Sequence, residues 1–284
     1  MERLEDRSLL AGDVAVTLVK GVLKVQGDAA ANDVAIVDLG GGTLEVSGRN
    51  GTTVNGSAAL LSVSGVTAGL KVDLKAGADV LSFVGNADHR LAIVSLETGP
   101  GADTVSVDQV FAAIAKIETG PDDDRVQVMD MSVVLGKIET GLGDDQVTIG
   151  DPSIRADARI GAVEFEVETG AGNDTVRVQD AILETLIAEI ETGAGNDSVS
   201  IADLQSQGTF KVETGSGDDA VTIAESKFRR LTVELGAGDL DQLAIESTQS
   251  SSTKLDGGLG NADALRLTDN DLGVLKIKGF ESVS

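Results

Sequence analysis

Six aspartates recur in one local setting: Asp103, Asp124, Asp145, Asp174, Asp197 and Asp219. Asp123, Asp144, Asn173, Asn196 and Asp218 stand immediately before the last five of them. Carboxylates, side-chain amides and the carbonyls of Gly-rich turns are hard oxygen donors. Calcium takes 6–8 such oxygens. If the chain stacks these residues, two unit charges ~4.8 Å apart repel by about 3.5 kcal/mol at an effective dielectric of 20. The column must then be neutralised by cations or spread into water. Calcium is therefore one reading, with Asp103, Asp124, Asp145, Asp174, Asp197 and Asp219 as ligands and Asp144, Asn173, Asn196 and Asp218 beside them. The other is turn chemistry without metal, because Asp and Asn bond to nearby backbone in turns.

The aspartates belong to a repeat. It reads SLETGPGADTVSV from Ser95, KIETGPDDDRVQV from Lys116, KIETGLGDDQVTI from Lys137, EVETGAGNDTVRV from Glu166, EIETGAGNDSVSI from Glu189 and KVETGSGDDAVTI from Lys211. Degenerate copies follow from Val233 and Lys254, and one precedes from Asp73. The equivalent glycines, Gly99, Gly120, Gly141, Gly170, Gly193, Gly215, Gly236 and Gly258, are spaced by 21, 21, 29, 23, 22, 21 and 22 residues. Such regularity marks a solenoid or another repeat array.

Each unit carries its own structural code. Apolar residues alternate before the glycine (Phe165, Val167; Leu186, Ala188, Ile190; Phe210, Val212) and after the aspartate (Val176, Val178; Val199, Ile201; Val221, Ile223). Period-two alternation predicts strands with one face inward. The glycines between them predict a tight turn at positive φ. A unit of ~20–25 residues fits one coil of a parallel β-solenoid. The expected fold is all-β: a right-handed parallel β-helix with ~21–23-residue coils, nine of them spanning ~43 Å. The long interval between Gly141 and Gly170 predicts a loop bulging out around Asp151–Ile160. Residues 71–284 form the repeat domain, 14–70 are degenerate coils or a cap, and 1–13 are a leader-like segment.

Two further columns follow from the repeat. Glu97, Glu118, Glu139, Glu168, Glu191, Glu213 and Glu234 point outward, with Lys116, Lys137 and Lys211 on the same face. The Thr column, Thr98 to Thr214, makes hydrogen-bond ladders inside the turn.

Composition excludes several functions. The net charge of −25 over 284 residues repels nucleic acid and anionic lipid. Without cysteine there is neither a disulfide nor a thiolate metal site. No apolar run reaches the ~18–20 residues of a membrane span. His89 is the only histidine, so neither a histidine zinc site nor a catalytic triad assembles. The rival reading is a solenoid polysaccharide lyase or glycosidase, which would use paired carboxylates. It requires a unique constellation, such as Asp151, Asp157 and Glu164 converging in a cleft. Aromatic residues, which sugar sites favour as platforms, are only 2% of the chain.

Two resemblances add to this reading. TGAGNDTVR from Thr169, TGAGNDSVS from Thr192, TGSGDDAVT from Thr214 and TGLGDDQVT from Thr140 resemble the G-G-x-G-x-D-x-U-x nonapeptides of RTX proteins, which bind calcium in a parallel β-roll. Thr replaces the first Gly, and the motif comes once per coil rather than in tandem. TGPDDDRVQ from Thr119 also lacks the fourth-position Gly. The segment ERLEDRSLLAGDV, Glu2 to Val14, resembles the L-E-x-R-x-L-L segment near the start of large exported planctomycete proteins. This resemblance implies an extracellular or cell-surface location. The functional expectation is a structural or adhesive module with calcium as its ligand, cell-surface or matrix components as partners, no nucleic acid, no transmembrane segment and no catalysis. A metal-free structural solenoid is the remaining alternative.

Overall fold

The computed structural model describes residues 12–150 and 158–284. These residues form twenty-five strands and no helix, stacked as a β-solenoid of about nine turns with coils of about 22 residues. The leader-like segment lies mostly outside the described residues, as do Asp151 and Asp157.

Parallel registers run the length of the stack. The strands before each turn align Gly69–Asp73, Leu91–Glu97, Val110–Pro121, Leu135–Leu142 and Ala158–Ala171, and continue to Asp271–Lys278. The strands after each turn align Val80–Val84, Thr104–Asp108, Arg125–Val128 and Gln146–Ile149, and continue to Ala264–Thr268. Inward side chains stack into aliphatic ladders: Val105, Val126, Val147, Val176, Val199 and Val221 are at most 1% exposed. Phe165 and Phe210 are also buried. Small β-branched residues suit this slim core, because each half-buried pleat accepts one per coil.

Leu186 departs from the expected alternation. It is 66% exposed, and Ile187 beside it is 47% exposed. The chain turns a corner here: Thr185 and Ala188 point inward, while the two residues between them face out. The register against Ser198–Ser216 shifts at the same place. The long interval is also tighter than expected at its end. Ile160 lies in strand Ala158–Ala171, fully buried and paired with Met131 and Leu183.

The N-terminal region folds antiparallel strands onto the parallel stack. Asp13–Val19 pairs with Val22–Gln26, and Thr43–Gly48 lies between Asp33–Asp38 and Leu61–Ser64, all antiparallel. Val22–Gln26 and Asp33–Asp38 also join the parallel registers through Gly69–Asp73 and Val80–Val84. The first coil edge is thus covered by hairpins. At the other end, the core positions Leu275 and Ile277 are each 39% exposed, with no further coil packed on them among the described residues.

Candidate functional site

The Gly-rich turns place an aspartate at the head of every post-turn strand. Stacking converts them into one continuous buried ladder. The backbone N–H of Asp103 donates to Asp124 Oδ1 at 2.8 Å, and the N–H of Asp124 donates to Asp145 Oδ1 at 2.8 Å. The same bond recurs through Asp174, Asp197, Asp219 and Asp241, and reaches Asp263 at 3.1 Å. Asp79 heads the series, with its N–H on Asp103 Oδ1. Asn32 precedes it, donating to Asp79 Oδ1, and Glu281 ends it by accepting from the Asp263 N–H. All six aspartates expected to form a column do so, and each is at most 3% exposed.

Three members were not singled out in the sequence: Asp79, Asp241 and Asp263. Asp241 and Asp263 stand five residues after their turn glycines, whereas Asp103 stands four after Gly99. One extra turn residue hides the spacing. Asp79 keeps the spacing, but Lys75 occupies the glycine position, at φ +83°.

Each carboxylate uses Oδ1 for the backbone of the preceding coil. Oδ2 of Asp79, Asp103, Asp124, Asp145, Asp174, Asp197, Asp219, Asp241 and Asp263 is buried without a hydrogen-bond partner. A buried charged oxygen left bare is costly. Burial accordingly pushes the Asp79 and Asp124 carboxyls up to about 7 and those of Asp103, Asp145 and Asp219 to about 6. The backbone N–H bonds offset this only in part. Asp174, Asp197, Asp241 and Asp263 are raised for the same reason.

A threonine ladder runs alongside, as expected. Thr98 Oγ1 donates to the Thr119 carbonyl at 3.3 Å, and the pattern repeats through Thr140, Thr169 and Thr192 to Thr214. Each of these hydroxyls also sits beside the aspartate five residues on, lowering its pKa. A hydroxyl has one proton to give. It serves either the next coil's carbonyl or the carboxylate, not both.

The flanking residues form a second ladder, exposed to water. The Asp144 N–H donates to Asp123 Oδ1, Asn173 to Asp144 Oδ1, Asn196 to Asn173 Oδ1 and Asp218 to Asn196 Oδ1, at 2.7–2.9 Å. The glutamate column faces outward. Lys137 Nζ lies 3.0 Å from Glu139, 3.1 Å from Glu166 and 2.9 Å from Glu168. Lys116 and Lys211 pair likewise within their own and adjacent coils. Such partly exposed pairs contribute little to stability.

The residues fit a hard cation in chemistry and only partly in grouping. Unpartnered carboxylate oxygens recur once per coil. Among the described residues, no three of His, Cys, Asp or Glu gather into a group able to hold a metal ion. A calcium ion would therefore draw most of its oxygens from turn carbonyls, side-chain amides and water. Of the residues named for a catalytic cleft, Glu164 stands on the outer face, exposed, paired in register with Leu135 and Ile187. Among the described residues no helix is long and apolar enough to cross a membrane.

No family model, no curated protein and no solved structure matches the chain.

Proposed function

We propose that this chain is a structural or adhesive rod acting at the cell exterior, and that its turns take up calcium as the coils stack. The observation that carries this reading is the file of nine buried aspartates among the described residues, each with one oxygen left without a partner there. The ladder needs a positive charge or a proton at every coil. Calcium supplies charge to hard oxygens, and Asp103, Asp124, Asp145, Asp174, Asp197 and Asp219 would hold it together with turn oxygens. Asp144, Asn173, Asn196 and Asp218 lie at the wet edge of the same turns, where calcium would enter. Because the column is complete only when coils stack, binding free energy becomes folding free energy. The repetition of the carboxylate columns among the described residues supports a scaffold rather than an enzyme. The N-terminal resemblance supports the exterior location.

One observation favours a second reading. Carboxyls pushed up to about 6–7 are partly protonated at neutral pH, so protons alone can neutralise the ladder. Equilibrium dialysis against calcium at pH 8, with magnesium as competitor, separates the two. Several calcium ions bound per chain, and fewer when pH falls to 5, are expected. No calcium bound at pH 8 would leave the proton-neutralised, metal-free solenoid.

A further inference from the structure

The pre-turn and post-turn faces of the rod differ in charge. The face of the pre-turn strands carries an acid in every coil, in one column from Asp73 to Asp256. The face of the post-turn strands does not. Its nine rungs, from Val80–Val84 to Ala264–Thr268, hold one register with no shift. Their outward positions within the strands are Ser, Thr, Gln, Ala and Val, apart from three arginines (Arg125, Arg177, Arg266) and two acids (Asp108, Glu246). On a chain of net charge −25, this face is close to neutral.

We propose that a second copy of the chain docks on this face, sheet against sheet, about a two-fold axis parallel to the strands. Three observations select that occupant.

The first is charge. Two chains of −25 repel wherever acidic surface meets acidic surface, and this face lacks the acid column that lines the pre-turn face.

The second is area. Eight overlapping rungs at ~4.8 Å, each five residues long at ~3.3 Å, give a footprint of about 600 Å². That lies at the small end of stable interfaces, where about 600–1,000 Å² per partner is buried.

The third is self-complementarity, which a two-fold interface requires. The axis reverses the rung order and keeps each outward column over itself. Setting the second rung over the ninth brings the level of Asp108 to that of Arg266 in the second copy. It also lays Thr148, on the fourth rung, over Thr222, on the seventh, in one column. Arg266 lies 3.7 Å from Glu246 within one copy, both exposed, and so is free to exchange partners. This docking is independent of whether the turns hold calcium.

Sedimentation equilibrium from nanomolar to high-micromolar concentration, at low and moderate salt, tests the proposal. The expected species has twice the 29.0 kDa mass and forms more readily as salt screens the net repulsion. Small-angle scattering should show a rod of unchanged length and doubled cross-section. Thr148→Glu should weaken association at least tenfold without lowering the melting temperature of the monomer. Asp108→Arg and Arg266→Glu should each weaken it several-fold, and the double swap should restore most of the loss. Leu275→Lys and Ile277→Lys, at the open last coil, should leave it unchanged. A monomer at every concentration and salt overturns the proposal. So does a particle of doubled length, or association that is insensitive to Thr148→Glu and lost on Ile277→Lys.

Discussion

An aspartate in this ladder has two unlike oxygens, and that asymmetry makes a specific prediction. Asp174 Oδ1 accepts the Asp145 N–H, while Oδ2 is buried and bare. Asp174→Asn keeps the acceptor and removes the charge. An amide already stands in the aspartate register at the top of the column: the backbone N–H of Asn32 donates to Asp79 Oδ1, although its own Oδ1 is without a partner. The variant should melt higher than the parent in chelator at pH 8, by an amount corresponding to about 1 kcal/mol, and should gain less from calcium. The carboxyls of Asp79, Asp103, Asp124, Asp145 and Asp219, held by burial above the ordinary value of 3.8, each contribute stability that is full below about pH 4. That contribution is lost as pH rises through about 6–7. Chelated protein should therefore be more stable at pH 5 than at pH 8. Each such proton contributes up to ~1.4 kcal/mol per pH unit of slope, and Asp174→Asn, which removes a further carboxyl raised by burial, should make the slope shallower.

At the scale of the element, the turn is where backbone geometry is least forgiving. Gly193 has φ +101°, and a Cβ there would lie 2.0 Å from the Gly170 carbonyl oxygen of the preceding coil. Gly193→Ala should cost about 2–5 kcal/mol, from strain and overlap together. Asp122 occupies the position that Gly143 fills one coil later, at φ +86°. Asp122→Gly should stabilise by about 0.5–2 kcal/mol, since relief of the strain exceeds the added chain entropy. Chemical denaturation of both variants beside the parent checks the two signs.

The turn and its flanking strands were legible in the sequence because each coil repeats them. Glycine, aspartate and alternating Val or Ile recur at fixed offsets. The depth of the aspartates was not legible, because a turn residue reads as polar whether water or the next coil covers it. The corner at Leu186–Ile187 was hidden for a related reason. Alternation continues on paper through Leu186, Ala188 and Ile190, while the chain spends one residue on the bend. Asp241 and Asp263 were obscured by a single added turn residue, although the strands after them keep the register.

The whole molecule is a rod with unlike ends and unlike faces. Antiparallel hairpins cover the first coil, whereas the last leaves Leu275, Ile277 and Val283 partly bare. Both ends of the aspartate ladder have distinct terminators, Asn32 and Glu281. Between them the stability of the stack is a sum over nearly equivalent coils, each adding one buried carboxyl. Whatever neutralises that carboxyl acts once per coil and is multiplied along the rod. A modest gain per site thus becomes a large change for the molecule.

Thermal unfolding followed by circular dichroism tests this most directly, in excess EDTA, in millimolar calcium and in millimolar magnesium, all at pH 8. A large calcium-specific rise in melting temperature, or folding only on addition of calcium, is the predicted result. Identical melts in all three conditions would contradict calcium uptake by the aspartate ladder.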